Sequence, residues 1–201
     1  MPSREKELKT LLCITHQINT GLTVDEVLDY AYKTLHVIIP YDRIGFSLLE
    51  KDDTVLRSQW LRSKAPVIKI EKNYSAPMKG SSLEKILETR EPRILNDLEA
   101  YLKEHPNSKS TKDILEEGMR SSLTCPLIVS KKPIGFLFFS SMEPFKYQDA
   151  HVGLFQEITG QLASTLEKSR LYEQVVGFND LKNKFLGMAV HDLRSPIGII
   201  K

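Results

Sequence analysis

Cysteine is nearly absent: Cys13 and Cys125 are the only two in 201 residues, too few for a disulfide framework and without the spacing of a zinc or iron–sulfur site. Both sit in apolar patterns, helical around Cys13 and strand-like around Cys125, and are expected as buried free thiols in a reducing compartment. Histidine is sparse too. His16, His36, His105 and His151 stand at no ligand-like spacing to Cys, Asp or Glu, so no metal site is expected. An excess of one charge sign is also missing. Lys and Arg total 28 against 26 Asp and Glu, a formal net charge of +2, and the two signs are interspersed, which argues against nucleic acid or an anionic membrane as partner. The N-terminus, Met1 to Lys9, has no apolar core of leader length, and no later run approaches a membrane span, so the expected location is cytoplasmic.

What is present is an order of periodic segments. Leu8, Leu11, Leu12, Ile14 and Ile18, then Val24, Val27, Leu28, Ala31 and Leu35, recur at helical spacing, with a break at Thr20-Gly21. Thr23 and Glu26 have capping-box spacing and start the second helix, which Pro40 ends. Arg43 to Glu50 and Thr54 to Arg62 read as a hairpin around Lys51-Asp52-Asp53, and Val67 to Ile70 as a third strand. A short helix over Leu83 to Thr89, a brief strand at Arg93 to Leu95, and a helix near Leu98 to Lys103 follow. The stretch from His105 to Lys112 reads as a polar loop before a short helix over Asp113 to Glu117. Ser121 to Val129 and Pro133 to Ser141 are the strongest strand signals, apolar enough to be central. This order predicts an α+β fold with a largely antiparallel sheet.

After Asp149 the pattern turns helical and does not stop. Leu154, Phe155, Ile158, Leu162, Leu166, Tyr172 and Val176 carry it onward, and no proline falls between positions 145 and 195. A helix of that length cannot bury itself against one small domain, so its distal half is expected to pack on a second copy. Phe155, Leu162, Ser169, Val176 and Asn183 keep a seven-residue interval, while Leu181, Phe185 and Met188 set a second register.

Near its end, Leu186, Ala189, Leu193, Pro196 and Ile200 define one face at 3, 4, 3, 4 spacing. With Leu186 and Leu193 at successive a positions, His191 falls at f and points to solvent, where a phosphate donor can reach it. Asp192 can hold the proton on one imidazole nitrogen and leave the other free to attack. Arg194 can steady phosphate charge, and Pro196 places a weak hinge beyond the nucleophile.

Phe185, Leu186, His191, Asp192, Arg194, Pro196 and Ile197 together resemble the H-box of sensor histidine kinases, the phosphoacceptor helix of their dimerisation domain. The resemblance implies autophosphorylation of His191 and transfer to an aspartate on a response regulator. Ser195 stands where members that are also phosphatases carry Thr or Asn. It also implies that ATP and Mg²⁺ would be bound by a nucleotide-binding domain absent from this sequence, so that the chain is a phosphoacceptor, inactive alone, rather than a working protein-histidine kinase.

Upstream, Glu26–Asp29 leading to Asp42–Ser47, Gly80–Leu83 with Ile86–Pro92 and Asn96–Leu98, and Ser121–Leu127 running into Pro133–Leu137 resemble a GAF domain. The implied organisation is a GAF-like sensor over residues 5–168, a helical coiled-coil linker over 169–182 and the start of the phosphoacceptor domain over 183–201. In that family a ligand sits between the sheet and the middle segment, which makes Phe46, Trp60, Tyr74, Met78, Ile114 and Met119 the candidate pocket lining for an unidentified small molecule. A covalently linked bilin is not expected, because neither cysteine lies in that segment, and His105 among turn residues is a poor haem ligand. The expected function is sensing by the GAF-like domain, relayed through a homodimeric helix to His191. The alternative is a non-catalytic ligand-binding or dimerisation module.

Overall fold

The computed structural model describes residues 23–197, except for some side chains of its last helix. The expected first helix, with Cys13 and His16, lies outside the described residues. Helix α1 spans Val24–Leu35 and begins as its sequence dictates: Thr23 accepts from the Glu26 amide, and the Glu26 carboxylate accepts from the Thr23 amide at 2.8 Å. It buries Val27, Leu28, Ala31 and Leu35. Strands β1 (Arg43–Glu50) and β2 (Val55–Ser63) form the expected hairpin; Lys51, Asp52 and Asp53 all take positive φ.

The segment Val67 to Ile70, read as a strand, is not one. It belongs to a strap, residues 64–74, that crosses the sheet face, and β3 is instead Ser75–Pro77. The physical reason is local: the amides of Lys69 and Ile70 are taken by the Glu117 carboxylate rather than by a neighbouring strand. Helix α2 (Glu84–Thr89), strand β4 (Arg93–Leu95) and helix α3 (Leu98–Glu104) follow as expected. Helix α4 is Lys109–Glu116 and starts four residues before the expected Asp113. Ser, Thr and Asn mark turns and helix starts alike, so the composition of residues 105–112 could not separate the two.

Strands β5 (Ser121–Val129) and β6 (Lys132–Ser141) are joined by Ser130-Lys131, whose φ values of 49° and 66° are those of a type I′ turn. All pairings are antiparallel, in the order β3-β2-β1-β6-β5-β4. Gly135 lets β6 approach β1: a Cβ there would run into the Ser47 carbonyl. Helix α5, Asp149–Ile197, is 49 residues long.

Side-chain alternation divides the sheet into two faces. One face, with Ile44, Phe46, Trp60, Leu123, Cys125, Leu127, Leu137 and Phe139, meets α1 and the first turns of α5 through Leu28, Leu35, Phe155, Leu162 and Leu166. Each such side chain contributes about 1.5–3 kcal/mol on burial. The other face holds a smaller cluster of Leu56, Met78, Ile86 and Phe136 beneath the middle segment.

Candidate functional site

Of the six residues expected to line one pocket, Phe46 and Trp60 lie on the helix side of the sheet and Met78 on the other. Phe46 and Trp60 are cross-strand neighbours, buried in the main core on the helix side. A bulge after Phe46 makes the switch: Phe46 pairs with Trp60 but Ser47 with Ser58, so Gln59 is the extra residue and Ser58 faces the other way. Met78 lies in the smaller cluster on that other face. Met119 is fully buried, Ile114 is half-buried on α4, and Tyr74 is half-buried close to Asp113 of that helix. Burial, and then the charge of Asp113, raises the Tyr74 phenol. Trp60 is tied to α1, its indole Nε1–H donating to Asp29 Oδ1 at 3.0 Å.

At one end of the second face, where β1 begins, lies a buried ion pair. Arg43 opens β1, and its guanidinium folds over Gly45, where a Cβ would meet Arg43 Nη1 at 3.1 Å. Arg43 Nε and Glu117 Oε2 approach to 2.8 Å with side chains 4% and 0% exposed. Both atoms are buried in this contact. Glu117 Oε1 is well satisfied, accepting from the Lys69 and Ile70 amides at 2.8 Å each, while Arg43 Nη2 donates to the Ile70 carbonyl at 3.0 Å. Burial pulls the Arg43 guanidinium below its ordinary value, and Glu117 opposes the shift. Nothing in the local pattern announced this pair. Arg43 is a lone cation at the head of an apolar strand, and Glu117 one of two acids ending α4; only their meeting across the sheet sets them apart.

Beside the pair, Asp42 joins three elements. Its carboxylate accepts from Lys64 at 3.2 Å, from the Ser141 hydroxyl at 3.1 Å and from the Met142 amide at 2.9 Å. Burial opposes its charge, but these three donors outweigh burial and hold it below the usual carboxylate value. Farther along the face, Arg93 donates to the Ser82 carbonyl at 3.1 Å and lies over the Tyr101 ring, with its Nε buried and without an acceptor among the described residues.

A separate cleft of about 130 Å³ opens on the helix side, between Leu48, Gln59 and Ile134 of the sheet and Leu166, Arg170 and Glu173 of α5. Of the six expected lining residues only Phe46 touches it. Its rim is charged: Arg170 pairs with Glu167 at 2.7 Å, and Lys72 approaches Asp25 at 3.6 Å. Cys125 is buried in the main core, and burial raises its thiol well above the ordinary value. His105 stacks on Tyr101 at 4.2 Å. Among the described residues no group of three or more His, Cys, Asp and Glu could hold a metal ion, and no helix is long and apolar enough to cross a membrane.

His191, Asp192 and Arg194 fall on the backbone of α5, while their side chains lie outside the described residues. The helix is buried at Phe155, Leu162, Ala163 and Leu166, and beyond the domain it exposes Leu171, Tyr172, Val175, Phe178, Leu181 and Phe185.

Among known proteins, the GAF domain family matches residues 21–167. No curated protein matches the chain. The GAF domain of a two-component sensor histidine kinase from Bacillus halodurans is 18% identical, with a TM-score of 0.62 over 74% of this chain and 96% of that one. The free methionine-R-sulfoxide reductase of Neisseria meningitidis, solved with its substrate, is 16% identical, with a TM-score of 0.64 over 86% and 96%. The phycocyanobilin-bound GAF domain of a cyanobacterial phytochrome is 15% identical, with a TM-score of 0.65 over 83% and 96%. Likenesses at these identities establish the fold. His191 lies beyond the matched span.

Proposed function

The chain belongs to the GAF domain family, and on that premise we propose that it is the sensory and phosphoacceptor part of a two-component histidine kinase. The GAF domain reads a small molecule or partner. Helix α5 relays the change to His191, which receives phosphate from ATP and passes it to an aspartate of a response regulator. Asp192 sets the imidazole tautomer, and Arg194 contacts the phosphate. ATP and Mg²⁺ would be held by a separate nucleotide-binding domain.

The observation that carries this reading is the continuity of α5. One helix, Asp149–Ile197, begins in the domain core and runs without a break into the H-box-like segment. A continuous helix transmits rotation and register shifts that a flexible linker would absorb. The apolar residues exposed from Leu171 to Met188 fit a parallel homodimer of such helices.

The alternative, a ligand-binding or dimerisation module whose last helix is never phosphorylated, draws on the end of the family match at residue 167. A chimera separates the two: residues 1–201 joined in register at the H-box to the remaining domains of a sensor kinase, incubated with ATP. Acid-labile label on the parent chimera and its loss in His191→Gln are expected. Equal labelling in both would sink the phosphoacceptor reading.

A further inference from the structure

The cleft on the helix side owes its one polar wall to an irregularity of the sheet. The bulge in β2 leaves Gln59 without a partner on β1, and Gln59 lines the cleft with Phe46 and Leu48, on the face that is otherwise apolar. Its Nε2 donates to Glu50 over a long 3.4 Å, and its Oε1 accepts from no donor among the described residues. A single amide set among apolar walls in front of a cavity is the arrangement that orients small ligands.

The floor and the mouth specify what such a ligand is. Leu48, Ile134 and Leu166 give the floor. An apolar cavity of about 150 Å³ holds a benzene ring, so the 130 Å³ present here suits a chain of about four carbons. At the mouth stand three carboxylates, Asp25, Glu167 and Glu173, against two cations, Lys72 and Arg170. Arg170 grips Glu167 through bonds of 2.8 and 2.7 Å, and Lys72 leans toward Asp25 at 3.6 Å. Glu173 is the one left over: it accepts from the Val24 amide at 3.2 Å, and no cation pairs with it among the described residues.

We propose that this cleft binds small primary ammonium compounds with a short apolar chain. The chain lies on Leu48, Ile134 and Leu166, and the ammonium group donates to the Glu173 carboxylate and to Gln59 Oε1. The proposal deepens the sensor reading by naming a ligand class, and rests on that reading only for its biological use. Gln59 and Ile134 belong to the sheet, whereas Glu173 belongs to α5 where that helix becomes exposed. A bound ammonium compound therefore bridges the two and fixes the angle at which α5 departs.

The test uses the 201-residue chain and n-butylamine, which is protonated at neutral pH, with the backbone amide resonances of Gln59 and Ile134 as the readout. These should shift saturably. Butanol, the same chain without the charge, and methylammonium chloride at matched ionic strength, the charge without the chain, should each bind about tenfold or more weakly. Glu173→Gln should bring butylamine down to the level of butanol while butanol binds as in the parent. Gln59→Leu, which leaves the bond between Val24 and Glu173 intact, should lower the preference for the amine severalfold and gives the second comparison if Glu173→Gln loosens the cleft. Absence of a saturable shift in the parent chain, equal affinity for butylamine and butanol, or an amine preference unchanged in both variants would overturn the proposal. The labelling of His191 in the chimera is read separately, so failure here and failure of the phosphoacceptor reading are distinguishable.

Discussion

The amide of Val24 donates to the carboxylate of Glu173 at 3.2 Å, joining residues 149 apart in sequence. This bond ties the first turn of α1 to α5 at the level where α5 becomes exposed. It adds a negative charge at a helix N-terminus, where the backbone dipole favours it.

Glu173→Gln should therefore loosen the first turn of α1 more than it destabilises the domain. An exposed bond of this kind contributes about 0.5–1.5 kcal/mol. Hydrogen exchange of the α1 amides should speed up severalfold while the thermal midpoint moves by only a few degrees. Unchanged exchange would show that the tie does not hold α1.

Arg43 and Glu117 predict a non-additive pair. Either Arg43→Met or Glu117→Leu alone leaves a buried charge unpartnered and should cost about 3–5 kcal/mol in urea unfolding. The double substitution should cost less than the sum, because neither charge is then left buried and unpaired, although the Lys69 and Ile70 backbone groups still lose their partners. Additive losses would place the two residues in separate interactions.

Gly135→Ala should be among the most damaging small substitutions, since its Cβ would run into the backbone carbonyl of Ser47 on β1. Gly45→Ala meets only the Arg43 guanidinium at 3.1 Å, the movable end of a long side chain. Overpacking of the first kind costs about 1–3 kcal/mol or more. Equal midpoints for the two variants would contradict the close approach of β1 and β6.

Asp42 sets a pH dependence whose sign follows from its donors. Its carboxyl is held below the ordinary aspartate value in the folded chain, so the folded state prefers the charged form. That contribution is present above the unfolded value and is lost as pH falls through the folded one. Asp42→Asn should flatten the acid limb of stability below about pH 4 and leave the neutral region parallel to the parent. An unaltered acid limb would assign the dependence to other carboxylates.

Phe178→Glu with Leu181→Glu, placed where α5 exposes both side chains, should convert a dimer to a monomer in light scattering without altering the fold of the GAF domain. A dimer that survives both substitutions would put the interface elsewhere.

How far the fold was legible depended on whether its cause was local. The capping box at Thr23 and Glu26, the apolar runs of β5 and β6, and the uninterrupted helical pattern after Asp149 all carry their reasons within a few residues, and the structure has them. The strand-like pattern of Val67 to Ile70 misleads because the Lys69 and Ile70 amides pair with Glu117, 48 and 47 positions away. The type I′ turn at Ser130-Lys131 lacks the Asn-Gly signature and showed only through the strands it joins. Of the pocket residues, Phe46 and Trp60 were named for their type, but type does not say which face of a sheet a side chain takes. The bulge at Phe46 and Ser47, which decides it for β2, leaves no mark in composition.

The unbroken α5 also has mechanical meaning as a beam clamped at one end. From Arg170, near the last buried turn, to His191 is about 32 Å at the ordinary helical rise. A tilt of about 5° at the clamp would sweep the far end by roughly 3 Å, comparable to the reach of one hydrogen bond. A displacement too small to open a cavity in the domain would thus be magnified into a sideways movement at the far end of the helix. The same rigidity makes phase matter: removing one residue between clamp and histidine would turn His191 by about 100° around the axis, whereas removing seven would nearly restore its bearing.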